Sequence, residues 1–194
     1  MQSRALALAV LLGAAALAGC ATAYGRGVSA LGLGRYDEAA DRFAEALAEA
    51  PARLDALAGL GIARYKLGAW DAATDALHSV VAREPDRAEA RLYLGLSHLR
   101  KGEDGPAEEQ LRALLGLKPH PRIAAQINRA LSVIRGDVLS DELRRFLAAS
   151  LEDEADWERE LREARLEQRL RVDPFWPRGI LHCFSTRHGR LICL

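Results

Sequence analysis

Hydrophobic and polar positions follow the helical period along most of this chain. The segment 54–66 is the clearest case, because its apolar residues form two rows on neighbouring faces of one predicted helix. The first row consists of Leu57, Leu60 and Gly61, and the second of Ala58, Ile62 and Tyr65. Since a helix that is apolar on two faces needs two partners, this pattern predicts one neighbour within a helix pair and a second element that covers the other row.

Several residue types recur at one fixed spacing along the chain. We call this spacing, the distance in sequence from Gly34 to Gly68, the repeat interval. The series are Gly34, Gly68, Gly102 and Gly136; Gly27, Gly61 and Gly95; Ala39, Ala73 and Ala107; and Pro51, Pro85 and Pro119. A left-handed glycine at Gly68 or Gly102 joins two helices, and the prolines stop the second helix. We expect the glycines of the second series to allow close helix approach, with the alanines as the facing small surface.

The segment from Leu60 to Ala73, followed by Pro85, closely resembles the tetratricopeptide repeat (TPR) pattern, and so does the segment from Gly34 to Pro51. The resemblance implies an all-α helix-turn-helix array, a right-handed α-solenoid, over residues 20–119. Its three repeats span about residues 20–53, 54–87 and 88–121. Residues 120–172 then form a degenerate fourth repeat and a C-terminal capping helix from Leu151 to Val172.

In this family the second apolar row of the first helices lines a concave groove. The resemblance therefore assigns a peptide-binding groove to Ala58, Ile62, Tyr65, Lys66, Leu92, Leu96, Leu99 and Arg100. With Lys66 and Arg100 on its edge, such a groove suits an amphipathic helix or an extended peptide that carries a carboxylate. The alternative is that the helix from Leu151 to Val172 folds back and fills the groove with Trp157, Leu161 and Leu166.

Residues 1–19 have the pattern of a secretion signal. Arg4 precedes a charge-free, largely apolar run from Ala5 to Ala18, which is short for a membrane span, although an uncleaved anchor is the alternative. The end of this run, Leu17-Ala18-Gly19-Cys20, resembles the lipobox of bacterial lipoproteins, which implies a lipid on Cys20. Ala21 follows the cysteine, and in Gram-negative lipoproteins a residue other than Asp there favours the outer membrane, facing the periplasm.

Charge and motifs narrow the classes of function. The 27 Lys and Arg residues balance 27 Asp and Glu residues, which argues against nucleic acid as a partner. The sequence has no glycine-rich phosphate loop, no Gly-x-Ser-x-Gly turn and no His-Glu-x-x-His helix. We therefore expect no catalytic residues, no cofactor and no small-molecule substrate.

The tail, residues 173–194, begins with a change of composition around Pro174 and Pro177. Residues 180–184 and 191–194 could pair as a hairpin. A three-residue loop would place Cys183 opposite Cys193, where a disulfide is sterically reasonable. His182 and His188 complete a group with metal-binding chemistry, but so short a tail offers no scaffold, and we expect no metal site.

Three kinds of function fit these features. The first is a lipid-anchored TPR adaptor or scaffold of the bacterial cell envelope, which binds an unidentified envelope protein or peptide segment during assembly, secretion or pilus biogenesis. The second is a structural lipoprotein whose groove is filled by its own C-terminal helix. The third is a small metal or redox protein that uses the tail cysteines and histidines. The apolar second row favours the first.

Overall fold

The computed structural model describes residues 22–136, 139–170, 183–185 and 191–193. Its helices are α1 (Ala23–Gly32), α2 (Tyr36–Glu49), α3 (Leu54–Lys66), α4 (Trp70–Arg83), α5 (Ala88–Lys101), α6 (Asp104–Gly116), α7 (Pro121–Ile134) and α8 (Asp141–Leu170). Two short strands, β1 (Cys183–Ser185) and β2 (Leu191–Cys193), form an antiparallel pair. Helices α1 to α6 form three pairs, and each pair also packs against the next. The predicted all-α repeat fold is confirmed.

Glycines at the turn inside each pair adopt the left-handed conformation. The φ angles of Gly34, Gly68 and Gly102 are 73°, 79° and 79°, where any other residue type is strained. The predicted role of Gly68 and Gly102 is thus confirmed. Gly136 has no such positive φ, so the connection after α7 differs from the other three turns.

The second series of glycines makes room for large side chains. A Cβ added to Gly27, Gly61 or Gly95 would lie 2.8 Å from Phe43, 2.7 Å from Leu77 or 3.4 Å from Leu111, respectively. These three residues recur at the same interval and are 1%, 0% and 0% exposed. The atoms nearest to each added Cβ belong to other residues than the periodic alanines, so the expectation that these alanines face the glycines stays a prediction. The missing glycine side chain admits a ring or a leucine, which buries more apolar surface than alanine.

The C-terminal part forms one continuous helix where the sequence predicts two. Helix α8 runs from Asp141 to Leu170 without a glycine or proline to interrupt it. The Oγ of Ser140 accepts a hydrogen bond from the backbone N–H of Leu143, which satisfies a free donor of the first turn. Helix α8 contacts both α7 and α5, and its path across α5 covers part of the candidate site.

The two strands pair with Cys183 opposite Cys193, in the register that the sequence predicts. The side chains of both cysteines lie outside the described residues, so the disulfide stays a prediction. Residues 1–21, which include the signal and Cys20, also lie outside the described residues, so the signal and the lipid anchor stay predictions. Within the described part of the chain, no helix has both the length and the apolar composition needed to cross a membrane.

Candidate functional site

The candidate site is the face formed by the first helix of each pair, which we call the inner face. Helix α3 contacts both α1 and α5, so the second apolar rows of these three helices lie side by side. The rows are Tyr24, Val28 and Leu31 on α1; Ala58, Ile62 and Tyr65 on α3; and Leu92, Leu96 and Leu99 on α5. Each row follows the previous one at the repeat interval.

Helix α8 covers the part of the inner face that α3 and α5 form. Ile62 and Leu96 are 4% and 0% exposed, and the other apolar residues predicted for the groove, Ala58, Tyr65, Leu92 and Leu99, are also buried. They share one apolar cluster with Leu147, Ala148 and Leu151 of α8. The predicted groove is therefore filled, as in the second of the two arrangements that the sequence left open.

The residues that fill the groove in the described part of the chain were not among the three predicted, of which Leu161 is half-buried. Leu166 is 59% exposed, and the side chain of Trp157 lies outside the described residues. The covering residues come from the first half of α8, which the sequence interpretation divided at Leu151 between a fourth repeat and the capping helix. The reason is the direction of the helix, since Arg144 binds Asp104 through two hydrogen bonds of 2.9 and 2.8 Å. This contact seats the start of α8 beside the end of α5.

Two donors on α3 hold a carboxylate of α8. The O–H of Tyr65 donates to one oxygen of Glu152, and Nζ of Lys66 donates to the other. The carboxylate of Asp156 lies 3.9 Å from the same Nζ. The side chains of Lys66 and Glu152 are 15% and 21% exposed, so this ion pair is largely shielded from water. Breaking such a pair by removing one partner costs about 3 to 5 kcal/mol when it is fully buried, and less here.

The protonation states suit this arrangement. Burial raises the pKa of Tyr65, and the negative charge of Glu152 raises it further, so the phenol remains a donor. Burial opposes the charge on Lys66, but interactions with Tyr93, Glu152 and Asp156 outweigh it and raise its pKa. The centres of the Tyr65 and Tyr93 rings lie 5.3 Å apart, nearly edge to face. Lys66 therefore presents a fixed cation to α8, and Tyr65 presents a fixed hydroxyl donor.

The second predicted cation has a different partner. The guanidinium of Arg100 lies 4.7 Å from the centre of the Trp70 ring, which is a cation–π distance. Arg100 closes α5 and Trp70 begins α4, so the contact joins two repeats. Of the two cations predicted at the edge of the groove, Lys66 binds carboxylates of α8 and Arg100 stacks on an aromatic ring.

The α1 part of the inner face is open within the described part of the chain. Val28 is 47% exposed, whereas its counterparts one and two repeats later are buried. Leu31 packs against both apolar clusters and so connects the row of α1 to that of α3. The guanidinium of Arg53 lies 3.9 Å from the centre of the Tyr24 ring. The sequence interpretation missed this surface, although the repeat interval leads back from Ile62 to Val28.

The ionisation of Tyr93 should report whether α8 is seated. Burial raises its pKa to about 12, with Asp156 and Glu152 of α8 adding to the shift and Lys66 and Arg159 opposing it. Subtracting the alkaline absorbance titration of the Tyr93→Phe chain from that of the wild type isolates the ionisation of Tyr93. We expect the midpoint of this difference curve to lie near pH 12. Once α8 is released, this midpoint should move toward the ordinary value of 10.0.

Protonation of Tyr93 links the seating of α8 to pH. The seated state of α8 binds the Tyr93 proton more tightly than the released state does. The stabilisation of the seated state by this proton is therefore complete below pH 10.0 and disappears as pH rises through about 12. A midpoint that stays unchanged when α8 is released would mean that α8 does not bury this phenol.

Comparisons with known proteins bear on the fold. Two tetratricopeptide repeat families match the chain, one over residues 30–83 and the other over residues 60–120. A comparison with curated proteins finds no match. Among the described residues, no group of three or more His, Cys, Asp or Glu side chains is placed to hold a metal ion.

Several solved structures share the fold. The type III secretion translocator chaperone SycD of Yersinia enterocolitica superposes with a TM-score of 0.55 at 19% identity, over 58% of this chain and 81% of that chain. The second TPR domain of human RPAP3, in complex with the HSP70 peptide SGPTIEEVD, gives 0.53 at 19% identity, over 60% and 94%. A MamA RS-1 double mutant gives 0.54 at 22% identity, over 69% and 75%. The family matches and the stacked helix pairs lead to the same conclusion: residues 30–120 are built of tetratricopeptide repeats.

Proposed function

We propose that this chain is a membrane-tethered interaction module that binds a helical segment of another protein on its inner face. The observation that carries the proposal is that this face already accepts an amphipathic helix, through an apolar cluster and through Glu152 on Lys66. TPR arrays use such extended surfaces for binding. The RPAP3 domain holds an HSP70 peptide and SycD is a translocator chaperone, which supports a protein as the partner. The proposal involves no catalysis, no cofactor and no small-molecule substrate.

The bacterial cell envelope is the proposed location. The resemblance of residues 17–20 to a lipobox supports a lipid on Cys20, and in a Gram-negative cell the protein would lie on the outer membrane, facing the periplasm. Helix α1 begins at Ala23, so a short connection would hold the array close to the bilayer. Such an adaptor would act in protein assembly, secretion or pilus biogenesis.

The lipid anchor has a direct test. We expect the wild-type protein to incorporate a fatty-acid analogue and to fractionate with membranes, because an acylated Cys20 buries long chains in the bilayer. The Cys20→Ala chain should carry no label and keep its signal segment, whereas Cys183→Ala should be labelled normally. Equal labelling of the wild-type and Cys20→Ala chains would refute the anchor.

The partner is tested by crosslinking in cells. A photoreactive residue at Val28 occupies the open part of the inner face, whereas one at the exposed His78 lies on α4, away from this face. We expect position 28 to give adducts with another envelope protein. Position 78 should give no adduct with that protein. If position 28 yields only adducts within the chain, the adaptor proposal fails.

The burial of Ile62, Leu96 and Leu99 under α8 favours a second candidate. In this alternative α8 is a permanent part of the fold, and the protein is a structural lipoprotein whose inner face is filled by its own chain. Crosslinks from position 28 to this chain alone would support that alternative.

A further inference from the structure

Building on the function proposed above, we infer that the inner face binds an acidic amphipathic helix from another protein, which replaces α8 and extends over the open row of α1. Helix α8 thus acts as a competitor built into the chain. Four features of the site lead to this conclusion: the chemistry of the occupied part, the less extensive packing of α8, the open row beside it and the cation that borders this row.

The occupied part of the face selects an acidic helix. Tyr65 and Lys66 are both turned toward Glu152 as donors, and the raised pKa of each keeps its proton in place. A neutral or basic helix would leave the ammonium group of Lys66 shielded from water without a counter-charge, which is unfavourable. The occupant therefore needs carboxylates spaced one turn apart, as Glu152 and Asp156 are on α8.

The apolar half of the recognition is equally defined. Leu147, Ala148 and Leu151 of α8 are 6%, 0% and 1% exposed against the inner face. The first and the last of these lie one turn apart, directly before Glu152. A helix in which two leucines one turn apart precede the carboxylates would reproduce the apolar and carboxylate contacts that α8 makes with α3 and α5.

Two large apolar side chains of α8 lie off the inner face. Phe146, on the same turn as Leu147, is 67% exposed, and Leu166 is 59% exposed. Contacts of α8 with α5 and α7 are also less extensive than those within the three helix pairs. Its advantage is that it belongs to the same chain and has a high effective concentration.

A partner helix can gain a surface that α8 does not use. The row of Tyr24, Val28 and Leu31 continues the apolar rows of α3 and α5, and Val28 is 47% exposed. Arg53 lies over the Tyr24 ring at the border of this row and gives a second cation for an acidic partner. The additional apolar area lets a longer helix compete with the intramolecular one.

The exchange is measured with a labelled synthetic peptide of residues 141–160 and the full-length chain, by fluorescence anisotropy. Leu151→Asp in the chain weakens the competitor, so it should bind the peptide at least about tenfold more tightly than the wild type. Phe146→Asp, at an exposed position of the same helix, should bind as the wild type does. Equal affinities of the wild-type and Leu151→Asp chains would overturn the inference.

The charge requirement is tested in the same assay. Adding Lys66→Glu to the Leu151→Asp chain should weaken peptide binding about tenfold or more, and a peptide with Glu152→Lys should recover it. Binding that is indifferent to both reversals would overturn the acidic specificity. If Leu151→Asp lowers the helix content of the array, Glu152→Lys in the chain replaces it, because this change repels Lys66 and keeps the apolar contacts.

Crosslinking in cells then separates this inference from the proposed function. With the photoreactive residue at Val28, Leu151→Asp should raise the yield of the partner adduct several-fold, and Lys66→Glu should lower it. Partner adducts whose yield is the same in all three chains would overturn the exchange while leaving the adaptor function intact. A complete absence of partner adducts would refute the adaptor function, whatever the peptide assay gives.

Discussion

The Gly59→Ala chain is expected to be less stable than the wild type by about 2 kcal/mol, because overpacking a filled core costs ~1 to 3 kcal/mol. An added Cβ would lie 2.4 Å from Cζ of Phe43. The ring cannot move aside freely, because Gly27 of α1 also lies against it and Phe43 is 1% exposed. Urea denaturation followed by circular dichroism measures the loss, with the first repeat as the part that opens first.

Gly116→Ala is the matched control for Gly59→Ala. Both glycines are helical, but no atom of a neighbouring helix lies within 4 Å of a Cβ added to Gly116. Alanine favours the helix over glycine by up to about 1 kcal/mol, so this chain should be as stable as the wild type or slightly more so. Equal stability of the Gly59→Ala and Gly116→Ala chains would show that Phe43 is not wedged between α1 and α3.

The Leu151→Asp chain is expected to release α8 while the three helix pairs stay folded. Leu151 is 1% exposed in the cluster that α8 shares with the inner face. Losing a buried leucine costs ~2 to 5 kcal/mol even with alanine as the replacement, and a buried carboxylate adds to that cost. Because α8 packs less extensively than the paired helices, the cost is met by local release rather than global unfolding.

Limited proteolysis measures this release. Cleavage within residues 141–170 should be at least about tenfold faster in Leu151→Asp than in the wild type, since local opening exposes the backbone. Phe146→Asp is the control, because Phe146 is 67% exposed on the same helix and should leave the cleavage rate unchanged. If α8 is cleaved at the same rate in all three chains, Leu151 does not hold it on the inner face.

Much of the array can be predicted from the sequence because its signals are local. The helix predicted over residues 54–66 is found as Leu54–Lys66, and the left-handed glycines lie where the repeat interval places them. Turn conformation, helix boundaries and the apolar rows each depend on residues within one or two turns. The resemblance to TPR proteins then supplies how the pairs stack.

The occupant of the inner face could not be predicted in the same way, because its contacts join distant residues. Lys66 and Glu152 are 86 residues apart in the chain. The helical period predicts the apolar row of each helix, but it does not indicate which other helix packs against that row. The boundary predicted at Leu151 separated this residue from Leu147 and Ala148, which form the same apolar surface. The contact of Gly27 with Phe43 was also not predicted, since Ala39 and Phe43 lie one turn apart on α2 and both recur at the repeat interval.

Hydrogen exchange across α8 in charge-reversed chains is the most direct test of how the inner face recognises a helix. In the wild type, the amides of residues 143–155 should exchange slowly, because Lys66 and Tyr65 hold Glu152 against α3. Lys66→Glu should speed this exchange by about tenfold or more, and the double change Lys66→Glu with Glu152→Lys should restore most of the protection. Protection that is identical in all three chains would contradict the account, because α8 would then be seated without the charge pair assigned to it.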